Sequence, residues 1–266
     1  MAENKNHYRE NSFSLLQSLT YTLLIQFEVK SFSYAVVYNY RLMAHGENCP
    51  FYELNDPGEL RDILTASYKK TIIGLPASAL TLVPKNLVEI DKIPAFARFL
   101  DVQKNEKVLA QLLDDRNVII YKTDDAIISK ATRFGLQNTL YTAKGWINAI
   151  ARSKPLMHKL YLDIGNDLVQ FLYYSAGHLR FYNIFEINDE DDLAYFSILV
   201  AEQLNLNPKN TTLVISGNIN EDDNKFFNLS TFFGGVELNE INIVELPWHI
   251  PSHKIMSHVA LLLCAL

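Results

Sequence analysis

The run KLYLDIGNDLVQFLYYSAGHLRFYNIFE, from Lys159 to Glu186, constrains this chain more than any other stretch. Three strand patterns follow one another, Leu160–Ile164, Leu168–Tyr174 and Leu179–Ile187, separated only by Gly165-Asn166-Asp167 and by Ser175-Ala176-Gly177-His178. Joins that short read as tight turns between antiparallel neighbours, so the run is a β-meander. The period then changes. Residues 188–206 open with four consecutive acids after Asn188 and place Leu193, Phe196, Leu199, Val200 and Leu204 on one face, which reads as a helix with an acidic first turn. TTLVISG (211–217) reads as a buried strand, residues 218–233 as a loop and helix, NEINIVEL (239–246) as a further strand, and the stretch after Pro251 as a terminal helix.

The first half repeats this pattern without repeating its residues. Strand patterns at Leu19–Lys30, Ser31–Tyr40 and Arg41–Glu47 lead to a helix over Asp56–Tyr68, entered through Asp-Pro. A short strand at Thr71–Pro76 follows. A looser middle contains Pro84 and Pro94, and KNEKVLAQLLDD (104–115) reads as a short helix. Residues 117–135 read as strand, Asp-capped helix and Gly stop, and residues 138–154 as strand then helix. The expected organisation is a frayed polar N-terminus over 1–17, one domain over 18–155 and a second over 156–266, with the boundary near Pro155.

Composition narrows the function classes. At 48% apolar and 20% charged, the chain can bury a sizeable core. A net charge of −6 with no Lys/Arg stripe argues against a nucleic-acid partner. No window approaches 18 consecutive apolar residues, and the N-terminus has no leader pattern, so a cytoplasmic bacterial protein is expected. Cys49 and Cys264 lack metal or redox spacing.

A duplicated meander followed by alternating helices and strands resembles the actin, Hsp70 and sugar-kinase superfamily. The resemblance implies an α/β, actin-like ATPase fold: two duplicated ribonuclease-H-like halves with mixed sheets flanked by helices. LYLDIGNDLVQFLYYSAGHLRFYNI is similar to that superfamily's second phosphate-binding hairpin, and LVISGNI (213–219) to its adenosine loop. The organisation is similar to PilM-like pilus-assembly proteins. FSYAVVYN, TLVPKNLVE, DDLAYFSILVAEQLNLNP and LVISGNI resemble, more closely, an uncharacterised bacterial family of the Bacteroidetes type with this fold. What the resemblance implies for a nucleotide is a site of Asp163, Gly165, Asn166, Gly217 and Asn218, with Asp163 holding magnesium through water if Mg–ATP binds. The same residue types also make an ordinary turn.

The first hairpin departs from this pattern. Gln26 and Glu28 stand where Asp and Gly are expected, with Lys30-Ser31-Phe32 as the turn, and a Glu there repels phosphate. Gly217 is followed by Asn218 rather than a second glycine. Gly234-Gly235 reads as a turn entering a strand, and the acids before the second helix already satisfy its positive end. A ribonuclease-H-type metal pair would draw on Asp163 and Glu202, but the fourth strand carries no acid. His249, His253 and His258 straddle Pro251, and the step of five residues turns His258 about 140° from His253, so they read as capping and solvent-facing side chains, not metal ligands. No Gly-x-Ser-x-Gly elbow supports hydrolase chemistry. Aromatics alternate along the second meander, and any left uncovered would suit a protein partner or self-association.

The reading that follows is a non-catalytic interaction or scaffold protein with a degenerate nucleotide cleft, no cofactor and no metal. Its alternative is a Mg–ATP binder or slow ATPase using the five residues above.

Overall fold

The computed structural model describes residues 7–55, 58, 60–89 and 93–264. Asp56, Pro57 and Glu59, which open the helix expected over Asp56–Tyr68, lie outside these residues, as do residues 1–6 of the expected frayed N-terminus. By contact the chain forms two units. One runs up to Trp146 and takes back Ile243–Pro247 and the segment from His258 on; the other holds Ile147–Asn242 and Trp248–Ser257. The expected ranges, 18–155 and 156–266, are contiguous and do not contain this return.

In the first unit, β1 (His7–Arg9) pairs antiparallel with β4 (Arg41–Pro50), so this part of 1–17 is a paired strand, with Tyr8 opposite His45. A 3-10 turn at Leu15–Thr20 replaces the start of the expected strand from Leu19. Strands β2 (Thr22–Phe27) and β3 (Ser31–Tyr38) complete the meander with β4. β3 is buried from Phe32 to Val37, the mark of a strand covered on both faces. Asn39 and Tyr40, with φ of 46° and 60°, form the two-residue turn into β4 that matches strand twist. Short helices α1 (Tyr52–Asn55) and α2 (Arg61–Thr65) lead to β5 (Lys70–Leu75), parallel to β2.

An insertion follows. Strand β6 (Ala79–Pro84), helix α3 (Ile93–Ala97), β7 (Glu106–Leu112) and β8 (Asn117–Asp124) build a separate antiparallel sheet in the order β6-β8-β7. The expected helix over 104–115 is therefore β7. The Asp114 side chain accepts from the backbone N–H of Arg116 (2.8 Å) and Asn117 (2.7 Å), closing a turn that turns β8 back onto it. Lys122 and Glu106 pair at 2.8 Å beneath this sheet, and the Lys122 ammonium also donates to the Asp101 carbonyl at 2.9 Å. Helix α4 (Asp125–Ala131), capped by Asp124, precedes β9 (Thr139–Tyr141), which returns to the main sheet beside β5. Helix α5 (Lys144–Arg152) starts where a Cβ on Gly145 would stand 2.4 Å from the Ala260 backbone, so only glycine permits this approach.

The second unit repeats the plan. Strands β10 (Lys159–Ile164), β11 (Leu168–Ser175) and β12 (His178–Glu186) form the meander read from the sequence, and Ala176-Gly177 makes the same left-handed turn as Asn39-Tyr40. Helix α6 (Glu190–Gln203) is capped at Asp189, whose side chain accepts from Asp192 N–H at 2.9 Å, while Asp192 accepts from Asn188 N–H. Strand β13 (Thr212–Gly217) lies parallel to β10, helix α7 (Asn224–Phe232) follows, and β14 (Gly235–Leu238) lies parallel to β13. The strand expected over 239–246 does not form: β14 lies before it and ends at Leu238, where the Asn239 side chain accepts from Ile241 N–H at 3.0 Å and turns the chain. Helix α8 (Ser252–Val259) runs on as a 3-10 turn over Ala260–Cys264.

The sheet orders are β1-β4-β3-β2-β5-β9 and β12-β11-β10-β13-β14. Omitting β1, each is an antiparallel meander followed by two parallel strands. Leu160, Leu162 and Ile164 of β10 pack with Leu193, Val200 and Leu229 on one face, so Tyr161 and Asp163 occupy the other.

Candidate functional site

Four of the five residues expected to meet a nucleotide sit at one end of the second unit's sheet, at the tips that follow β10 and β13, and Asp163 lies just behind them on β10. Gly165 begins the β10–β11 turn, and its N–H donates to the Leu168 carbonyl at 2.8 Å. Asn218 stands just past β13; its N–H donates to the Ile164 carbonyl at 2.7 Å and its side-chain amide to the Asn166 side-chain oxygen at 3.3 Å. The two glycines differ. Gly217 has φ +90°, and a Cβ there would lie 2.2 Å from the Ile164 carbonyl oxygen, so backbone packing alone demands glycine. At Gly165 a Cβ would meet nothing nearer than 3.4 Å, and its φ is not left-handed.

Asp163 is 7% exposed, and burial pushes its carboxyl up to about 6, with Ser257 beside it pulling the other way. It belongs to a row of polar side chains that crosses the sheet on the face away from the apolar core. Tyr182 on β12 donates to Gln170 on β11 at 2.6 Å, and Gln170 donates to Asp163 at 3.0 Å. Ser216 is the register partner of Asp163 on β13, and Asn239 donates to its hydroxyl at 3.0 Å. Gln170, Ser216, Asn239 and Ser257 were not singled out from the sequence, and Tyr182 was read only as one of the alternating aromatics of the second meander. The signal available was polarity at otherwise apolar strand positions for Gln170, Tyr182 and Ser216 and at a helix position for Ser257, whereas Asn239 lies in the turn after β14.

The first unit presents the corresponding β2–β3 hairpin. Its turn is Glu28–Ser31, closed by the Glu28 N–H to the Ser31 carbonyl at 2.9 Å, and so begins two residues earlier than the Lys30–Phe32 turn expected; Phe32 is instead buried in β3 against Phe27. The Glu28 carboxylate accepts from the Ser31 hydroxyl at 2.9 Å and from the Ser33 hydroxyl at 3.3 Å. Gln26 is opposite Ser33 and Gly74, and its side-chain oxygen and the Thr142 hydroxyl are buried without hydrogen bonds.

The histidines differ from expectation. His253 and His258 are both buried rather than solvent-facing. His253 Nε2 lies 2.9 Å from the Ile219 carbonyl, and burial holds its imidazole below the ordinary histidine value. His258 meets the ring of His45 with centroids 5.5 Å apart. Glu202 lies on the exposed face of α6. Among the described residues, no group of three or more His, Cys, Asp or Glu is placed to hold a metal ion. Cys49 is buried and its thiol is pushed up to about 12, first by burial and then by nearby acids, so it stays protonated and unreactive. A cavity of about 490 Å³ is lined by Leu54, Asn55, Ser129, Lys130 and Arg133 in the first unit, and none of the expected site residues lines it.

A sequence model described as "Protein of unknown function (DUF3822)" matches residues 10–236. The structure is similar to that of a Bacteroides thetaiotaomicron protein with actin-like ATPase fold and unknown function, with a TM-score of 0.79 and 19% identity over 96% of this chain and 100% of that one. That likeness establishes the actin-like ATPase fold. Looser likenesses are to the ethanolamine utilization protein EutJ from Carboxydothermus hydrogenoformans (TM-score 0.49, 8% identity, 91% of this chain, 88% of that one) and to the activator of 2-hydroxyisocaproyl-CoA dehydratase from Clostridium difficile (TM-score 0.47, 7% identity, 92% and 94%). No curated protein matches the chain. No helix among the described residues is long and apolar enough to cross a membrane.

Proposed function

The chain belongs to the family described as protein of unknown function (DUF3822), and we propose that within it this protein is a non-catalytic, actin-like scaffold that acts through protein contacts and whose nucleotide site has decayed. The observation that carries this reading is the Glu28 carboxylate, held by the Ser31 and Ser33 hydroxyls at the first hairpin's tip. Phosphate oxygens need donors and positive potential at such a tip. Here the hydroxyl donors are already spent on an anion, and two like unit charges 4 Å apart near a protein surface repel by about 4 kcal/mol.

The second hairpin supports the same reading. The N–H groups of Gly165 and Asn218 are committed to carbonyls of their own unit. Asp163 is buried and bonded to Gln170, whereas a carboxylate that holds magnesium through water must face solvent. These residues do not fit Mg–ATP, so no hydrolytic step is assigned to them. Contact chemistry is available elsewhere: Trp248 is 95% exposed, and Tyr195 on α6 and Phe227 on α7 also present aromatic surface. Exposed aromatics of this kind serve as anchors at protein interfaces. We further propose a cytoplasmic location, which suits two cysteines, Cys49 and Cys264, that form no disulfide, and no nucleic-acid partner, which the charge of −6 suits.

A second reading, Mg–ATP binding or slow hydrolysis, is favoured by one observation, the meeting of Asn166 and Asn218 at 3.3 Å. Thermal unfolding with and without millimolar Mg–ATP separates the two. A ligand at 100 times its Kd adds about 2.7 kcal/mol, or roughly 2–4 °C for a protein of this size. The scaffold reading expects no shift. A shift that Asp163→Asn abolishes would overturn it and establish the ATP-binding alternative.

A further inference from the structure

The buried histidine pair belongs to the first unit. His45 lies in the middle of β4, opposite Ala35 on β3 and Tyr8 on β1. His258 opens the C-terminal segment, whose Val259, Ala260 and Leu261 are buried and whose 3-10 turn lies on β2 and β5. The two imidazoles are 5% exposed each. Neither nitrogen of His258 makes a well-formed hydrogen bond, although the Leu24 backbone on β2 lies close. Burial holds both rings neutral, and His45 is further disfavoured as a cation by His258 and by His7 of β1.

The groups facing the pair offer little compensation for charge. From β1, His7 adds to the repulsion, and its Nδ1 is 3.3 Å from the Tyr34 hydroxyl of β3. From β4 itself comes Glu47, whose carboxylate is 3.8 Å from His45 Nε2, but its side chain is 45% exposed and its charge is screened by solvent. From β2 the Leu24 backbone lies close to His258, and the buried stretch of β5 from Ile72 to Leu75 carries no charged side chain.

We propose that the His45–His258 contact is a proton-sensitive latch: the segment from His258 to Cys264 stays docked on the six-stranded sheet while both imidazoles are neutral, and leaves it when they are protonated. Docking buries two rings side by side where a cation finds no buried acceptor, whereas release gives each ring water. Each proton that the docked state refuses changes the docking equilibrium about tenfold per pH unit below the ordinary histidine value, and two protons about a hundredfold.

Hydrogen exchange of the 258–264 amides on the full chain, corrected for intrinsic rates, tests this at pH 7.5 and 5.5. Protection in wild type is expected to fall at least tenfold at the lower pH, while β10 and β11 keep theirs. His258→Phe should remove the pH response and keep the segment protected at both values. If His258→Phe does not fold by circular dichroism, His45→Phe replaces it and should reduce the response. Unchanged wild-type protection at pH 5.5, a loss shared equally by β10 and β11, or an undiminished response in the folded variant would each overturn the latch.

Discussion

The two hairpins, β2–β3 and β10–β11, have the same backbone and opposite chemistry. Gln26 and Asp163 are each the fifth residue of the first meander strand; Gln26 is flanked in register by Ser33 and Gly74, Asp163 by Gln170 and Ser216. One position past each strand, Glu28 and Gly165 begin turns closed by the same hydrogen bond between first N–H and fourth carbonyl. The charge has therefore moved. In the second unit the carboxylate is inside the strand and the tip is glycine; in the first the strand carries an amide and the tip a carboxylate. Turn geometry depends on backbone bonds that almost any residue can supply, whereas a phosphate site depends on which side chains hold charge. A fold can thus keep its hairpins through duplication while the chemistry at their tips drifts.

Predictions that break or sharpen this comparison run from large effects to small. The two second-unit glycines should separate most. Gly217→Ala puts a Cβ 2.2 Å from a carbonyl oxygen at φ +90°, and should cost about 3 kcal/mol or more in urea unfolding, whereas Gly165→Ala should be near neutral. An equal cost at both positions would mean that Gly165 is as structurally constrained as Gly217.

The pH responses should oppose each other. Asp163 has a folded value raised from 3.8 to about 6, so the folded state takes up the proton more readily than the unfolded chain. Its burial therefore costs stability at neutral pH, a cost relieved as pH falls from about 6 towards 4, and Asp163→Asn should raise stability at pH 7 by about 2 kcal/mol and remove that slope. His45 and His258 have lowered folded values, so the unfolded chain binds protons that the fold refuses. Their contribution is unchanged above about pH 6.5 and becomes destabilising below it, by up to about 1.4 kcal/mol per histidine per pH unit. Denaturant titrations of wild type, Asp163→Asn and His258→Phe between pH 7.5 and 5 would sort the two; a common acid slope in all three sinks the assignment.

The smallest effect should come at the first tip. Glu28→Gln keeps an acceptor for Ser31 and Ser33 and should cost about 0.5 kcal/mol in urea unfolding. A loss above about 2 kcal/mol would make Glu28 a structural requirement of the hairpin and remove it as evidence of a decayed site.

Much of this molecule was legible before its coordinates. Period-two alternation and short joins determined both meanders, the acids after Asn188 determined the cap of α6, and together they determined the duplicated α/β plan, because these are local properties of backbone and neighbouring side chains. Strand β7 was read as a helix over 104–115 because its leucines suit either period, and pairing with β8 chose the strand. His253 and His258 were read as solvent-facing because a polar residue beside a proline carries no local sign of burial. Their burial, like the row from Tyr182 through Gln170 and Asp163 to Ser216 and Asn239, joins residues far apart in the chain. Sequence by itself determined which elements form; tertiary structure alone decided which polar groups lose their water and what they then face, because desolvation depends on atoms brought from elsewhere in the chain.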